Sequence, residues 1–140
     1  MTSADVLATL RASGLPLKEW GTALDGSPML AARAGGDRQP AIFLTAGAHC
    51  TETAGVHACL SLMQSLDTEH ELHVLPLRDP VGFAGVDHCL GLAAGEAIVT
   101  GDPQKSLDVL RERASLLWSE DDLYLFQLGE TGFVWAPATL

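Results

Sequence analysis

The chain has 140 residues, the length of one ordinary domain, with 47% hydrophobic and 19% charged residues. That balance excludes intrinsic disorder, because enough apolar surface is present to offset the entropy of ordering. Eighteen acidic residues against eight basic ones give a formal charge of −10, and with no basic cluster this argues against binding nucleic acid or anionic membranes, which both need Lys and Arg.

The periodicity predicts a helix over Ala4–Ala12, with Val6, Leu7 and Leu10 on one side and Ser3 as cap. Leu17–Leu24 and Ser27–Ala34 flank Asp25-Gly26, a strong hairpin dipeptide. The polar stretch 34–40 reads as a turn between strands. Ala41–Ala46 is a continuous apolar run, expected to be a strand buried on both faces. Thr53–Leu66 is helical by pattern, with Val56, Cys59, Leu60, Met63 and Leu66 on one face. His70–Leu77 returns as a strand, so strand, helix and strand form a βαβ unit.

Five glycines between Gly82 and Gly101 predict irregular structure there. Asp102-Pro103 is a helix start, with Leu107, Leu110, Ala114 and Leu117 as its buried face. Leu123–Leu128 and Phe133–Ala136 read as two further strands. The expected architecture is a single α/β domain over residues 1–140, with a mixed, mostly parallel sheet and flanking helices.

The segment Thr45-Ala46-Gly47-Ala48-His49-Cys50-Thr51-Glu52-Thr53-Ala54-Gly55 lies where the apolar strand ends and the next helix begins. Ligands of open parallel sheets bind outside the carboxyl ends of strands. His49 and Glu52 stand there at His-x-x-Glu spacing, and an imidazole nitrogen with a carboxylate oxygen is a common zinc donor pair. The alternative is a helix-start carboxylate and a loop histidine. Arg78, the one Lys or Arg between Arg38 and Lys105, falls at the end of the second strand. It suits either a two-pronged clamp on a substrate carboxylate or a surface ion pair.

The segment from Ile42 to Gly55 resembles the first zinc motif of the zinc carboxypeptidase-like superfamily, which includes peptide carboxypeptidases and the aspartoacylase/succinylglutamate desuccinylase deacylases. Val74-Leu75-Pro76-Leu77-Arg78-Asp79-Pro80-Val81-Gly82-Phe83 resembles the next strand and its Asn-Pro-x-Gly-Phe turn, with Asp79 in place of Asn. The resemblance covers roughly residues 40–85 and implies a carboxypeptidase-like fold. It further implies zinc held by His49, Glu52 and a second His, hydrolysis of an amide or peptide bond, and a small peptide or acylated amino acid as substrate.

Two of the family's features have no counterpart. The Asp-x-Asn-Arg segment after the turn is replaced by Ala84-Gly85-Val86-Asp87-His88-Cys89-Leu90, and nothing after Gly101 supplies a third ligand or a general-base Glu. His88 is the internal candidate for the missing ligand, its alternative being a solvated loop histidine. The reading is therefore the N-terminal part of a longer metallohydrolase, inactive alone, that self-associates or joins a C-terminal portion. The competing reading is a non-catalytic α/β binding module with a degenerate metal site. Metals other than zinc stay open, because His and carboxylate donors suit several divalent ions.

The remaining candidates are weaker. Cys50 beside His49 lacks the facing base that a nucleophile needs, because neighbours along a chain rarely face each other, and Cys59 and Cys89 read as small buried hydrophobes. Three cysteines with no C-x-x-C, no secretory leader pattern and no membrane-length apolar run fit a reducing, cytoplasmic setting. Glu120-Asp121-Asp122 reads as a turn. Trp20, Trp118 and Trp135 read as core residues, too scattered for a stacking platform.

Overall fold

The computed structural model describes residues 1–136. The chain groups into two compact units, Met1–Gly85 and Val86–Leu140.

In the first unit, helix α1 (Ser3–Ala12) starts one residue earlier than expected. Its cap is Thr2 rather than Ser3. Thr2 Oγ1 accepts from the Asp5 amide, and the Asp5 carboxylate accepts from the Thr2 amide at 2.7 Å. This reciprocal box satisfies two of the helix's orphan donors. It also holds the Asp5 carboxyl below its ordinary pKa.

Strands β1 (Leu17–Thr22) and β2 (Pro28–Gly35) form the hairpin expected around Asp25-Gly26. The Asp25 carboxylate accepts from the Ser27 amide, and Gly26 takes φ +82°. Strand β3 (Arg38–Thr45), helix α2 (Thr53–Ser65) and strand β4 (His70–Leu75) make the βαβ unit, with β3 and β4 parallel.

The strand order is β1-β2-β4-β3. The expectation of a mostly parallel sheet is corrected, because β1–β2 and β2–β4 are both antiparallel. The chain passes from β2 to β3 around the start of β4, at Gly35-Gly36. A Cβ at Gly35 would sit 2.3 Å from the His70 carbonyl oxygen and one at Gly36 2.4 Å from that of Glu69. The stretch 34–40 therefore joins two strands that are not neighbours, and only bare backbone fits the crossing.

One sheet face carries the core. Ala32, Ala34, Leu72 and Val74 pack against Val6 and Leu10 of α1 and against Val56, Cys59 and Met63 of α2. Leu66 follows the end of α2 and is exposed, contrary to its expected place on the buried face. Strand β3 is corrected too. It lies at the sheet edge, with Ile42 at 42% and Phe43 at 48% exposure. Its composition suits a strand flanked on both sides, but only β4 lies beside it. On the outer face Phe43 rests against Trp20, ring centroids 5.0 Å apart, and near His73. Trp20 is thus half exposed and not a core residue.

The glycine-bearing stretch after β4 is mostly helical. Helix α3 (Pro80–Ala84) closes the first unit, and α4 (Val86–Ala94) opens the second. The buried side chains Phe83 and Leu90 anchor the two helices, and glycines at positive φ (Gly85, Gly95, Gly101) mark the breaks.

In the second unit, α5 (Pro103–Arg113) has the expected cap, with Asp102 accepting from the Gln104 amide. It ends before Leu117, which lies exposed on an unforeseen strand, β5 (Ser115–Glu120). Strands β6 (Leu123–Leu128) and β7 (Thr131–Trp135) complete an antiparallel meander in the order β5-β6-β7. Leu90, Leu107, Leu110, Phe126 and Leu128 form its core. Asp121 turns the β5–β6 corner at φ +51°, as the acidic stretch suggested. Trp118 is exposed. Among the described residues no helix is long and apolar enough to cross a membrane.

Candidate metal centre

The loop after β3 is held against the segment after β4 by backbone hydrogen bonds. The Ala46 amide donates to the Leu75 carbonyl, the Arg78 amide to Ala46 and the Asp79 amide to Gly47. The approach is close enough to require glycine. Gly47 has φ +67°, and a Cβ there would lie 2.6 Å from the Pro76 oxygen and 3.1 Å from Leu77 Cα. Gly82 is equally confined, by the Asp79 carboxylate and the Ala48 carbonyl oxygen. The two motifs read from the sequence are therefore joined in space.

Asp79 has a local task. Its carboxylate caps α3 by accepting from the Gly82 amide at 2.9 Å. An Asn could make the same bond, so Asp in place of Asn keeps the turn and adds a charge favoured at a helix start.

The loop rises from Gly47 through a turn at residues 48–51 and enters α2. The Glu52 amide donates to the His49 carbonyl, which closes the turn. His49 Nδ1 then lies 2.7 Å from Glu52 Oε1, with side-chain exposures of 71% and 52%. Glu52 occupies the cap position of α2 but makes no capping bond with its side chain, so its carboxylate is directed to His49. This bond is the main reason the Glu52 carboxyl is held below its usual range, and the Arg78 charge adds a smaller part.

His49 Nδ1 and Glu52 Oε1 thus face each other at hydrogen-bond distance. These two atoms are the ones that would hold a divalent ion, an imidazole nitrogen and a carboxylate oxygen being common donors to such ions. The donor set fits such an ion as a pair and no further: among the described residues no group of three His, Cys, Asp or Glu side chains is placed to hold a metal.

Arg78 is exposed at the end of the β4 segment, and its charge reaches Glu52. Among the described residues Arg78 makes no ion pair at contact distance with Asp79 or another acid, and its charge acts on Glu52 from further away. His88 lies in α4 of the second unit rather than on a loop. His57 is exposed on α2. His70 Nδ1 binds the Pro40 carbonyl oxygen at 2.8 Å, and His73 Nε2 lies 3.2 Å from Glu71. Cys50 is exposed, Cys89 is half-buried, and burial in the core raises the pKa of the Cys59 thiol.

Gly47 and Gly82 let the two loops approach this closely, since a Cβ at either would meet backbone within 3 Å. A Gly two residues past the end of β3 and another three residues past the Asp79 cap are the signals the sequence offers.

No protein-family model matches the chain, and no curated protein matches it. Among solved structures, a protein of Shewanella amazonensis described as a "putative metallopeptidase" is 32% identical to it, with a TM-score of 0.45. The match covers 58% of this chain and 33% of that one, so the chain spans about a third of that protein's length.

Proposed function

We propose that His49 and Glu52 are two ligands of a divalent metal site, zinc by the chemistry of the donors, in a hydrolase of amide or peptide bonds. The observation that carries this is the convergence of Nδ1 and Oε1 at 2.7 Å on a solvent-open turn. The turn is fixed by backbone hydrogen bonds to the segment bearing Arg78. A bound zinc supplies Lewis acidity toward a carbonyl. Arg78 would receive the carboxylate of a small peptide or acylated amino acid, a role its planar fork suits.

The third ligand and the general base come from outside this chain in the proposal, because a catalytic zinc takes three protein ligands and a water. The free apolar edge of β3 supports the same view, since Ile42 and Phe43 suit a strand with a further neighbour. The chain by itself is then a metal-binding part without turnover.

A second reading is a non-catalytic binding module whose metal site is degenerate. The two-donor set favours it. Calorimetric titration with zinc chloride separates the two. The proposal requires one saturable site, lost in His49→Ala and weakened in Glu52→Gln. Zinc uptake that is absent, or unchanged in both variants, leaves the module reading.

A further inference from the structure

The two edges of the first sheet are built differently. Edge strands can pair with other chains and are ordinarily guarded by charges or bulges. Strand β1 carries both, with Lys18, Glu19 and a shift of register between Glu19 and Gly21. Strand β3, the opposite edge, carries neither over its regular part. Ile42 to Thr45 pair with Leu72 to Leu75 without interruption, and no Asp, Glu, Lys or Arg occurs between Arg38 and Glu52.

The backbone directions along β3 follow from its bonds to the β4 segment. The Ala46 amide donates to the Leu75 carbonyl, and the Ala46 carbonyl accepts from the Arg78 amide. Peptide groups alternate along a strand, so Ile42, Leu44 and Ala46 turn theirs toward β4, and Ala41, Phe43 and Thr45 turn theirs to the free edge. Ala41 is already engaged, because its amide donates to Gln39 Oε1 at 2.9 Å, and Gln39 is itself held by Glu71. At the other end Gly47 leaves the strand at φ +67°, and its carbonyl accepts from the Asp79 amide. The groups open to a partner are thus the amides and carbonyls of Phe43 and Thr45, one residue to either side of Leu44.

That arrangement is self-complementary. An antiparallel pairing about a two-fold axis at Leu44 sets Phe43 of each copy opposite Thr45 of the other, and residues so placed exchange both backbone bonds. A two-fold at Phe43 instead would need the Ala41 amide that Gln39 occupies. On the helix side Leu44 meets Leu44, and Ile42, 42% exposed in the single chain, meets Ala46. Two chains of charge −10 come together along a strip that carries no charge of its own. We propose that β3 is a dimerisation edge, at which a second copy of this chain pairs antiparallel about Leu44 and joins the two four-stranded sheets into one.

The test is sedimentation velocity with native-state amide exchange on the whole chain, from about 10 μM to about 1 mM, the range of weak association. A metal chelator is present throughout, so the outcome is independent of the zinc reading. The expected result is a monomer–dimer equilibrium in which the Phe43 and Thr45 amides gain protection as the dimer fills, while the Ala41 amide does not change. Thr45→Pro removes an edge N–H and no bond to β4, and is expected to weaken the dimer about tenfold. Because proline risks disturbing the strand, Ile42→Lys, at an exposed position, provides the second arm. It is expected to weaken the dimer by a similar factor while the amides of α1 and α2 keep their protection. A monomer at every concentration would overturn the proposal and leave the edge to a strand from elsewhere. A dimer that leaves the Phe43 and Thr45 amides unprotected, or that neither variant weakens, would overturn it as well. Growth into open-ended polymers would overturn the closed two-fold pairing.

Discussion

Replacing Gly47 by Ala tests how the candidate centre is positioned. Two separate costs are expected. Gly47 has φ +67°, where an L residue is disfavoured by about 1–2 kcal/mol. The new Cβ would also lie 2.6 Å from the Pro76 oxygen, 3.1 Å from Leu77 Cα and 3.2 Å from Val56 Cγ2. Two of these neighbours are backbone, and relieving such overpacking costs about 1–3 kcal/mol more.

Gly26→Ala isolates the first cost. Gly26 has φ +82°, and its Cβ would meet nothing within 4 Å. Urea unfolding followed at the amides of the first unit should therefore place Gly47→Ala about 1–3 kcal/mol below Gly26→Ala. Native-state hydrogen exchange should show the Arg78 and Asp79 amides losing protection in Gly47→Ala, since both donate to this loop. Equal stabilities within about 0.5 kcal/mol, the usual scatter of independent sites, would refute the claim that close packing of the two loops positions His49 and Glu52.

Zinc affinity should rise with pH, because the ion competes with protons for both donors; titrations at several pH values that show no dependence would contradict a site at this pair. The Glu52 pKa is lowered in the folded chain. Its bond to His49 is thus fully present above the ordinary Glu pKa and is lost as pH falls through the lowered value, which a carboxyl-detected NMR titration can follow. Asp87 accepts from the Thr100 and Gly101 amides and from the Thr100 hydroxyl, and its pKa is lowered mainly by that hydroxyl. Asp87→Asn should cost the second unit about 1 kcal/mol at neutral pH, and less as the pH drops through the lowered value, in thermal melts across that range. Phe43→Lys removes the ring contact with Trp20 and should lower stability by about 0.5–1.5 kcal/mol in urea unfolding, and an unchanged midpoint would contradict that contact.

Where local chemistry decides, the sequence was readable. Asp25-Gly26 and Asp102-Pro103 signalled the hairpin and the helix start because their preferences are set within a few residues. The periodic run through Val56, Cys59, Leu60 and Met63 marked the buried face of α2. Ala41–Ala46 was readable as a strand but not as an edge, since position in a sheet depends on which other strands are present. The same limit hid the antiparallel β2–β4 pairing, which depends on a crossing at Gly35-Gly36 that no periodicity announces. Leu116-Leu117-Trp118 continued the helical spacing of α5 and was misread for that reason, although β-rich composition had already taken over.

The site divides the same way. His49 and Glu52 were found from spacing because the turn between them is short and local. The helical position of His88 and the absence of an Arg78–Asp79 pair are tertiary facts. Trp135 was read as a core residue and packs, half-buried, against the core of the second unit, where the β6–β7 register sets it beside Tyr124.

The most direct test of the metal site is zinc retention after equilibrium dialysis against zinc near neutral pH, on the chain and on His49→Ala. The account predicts about one zinc per chain, retained weakly as a two-donor site should be, and none above background in the variant. Equal retention by both proteins would contradict it and move the metal, if any, away from His49 and Glu52.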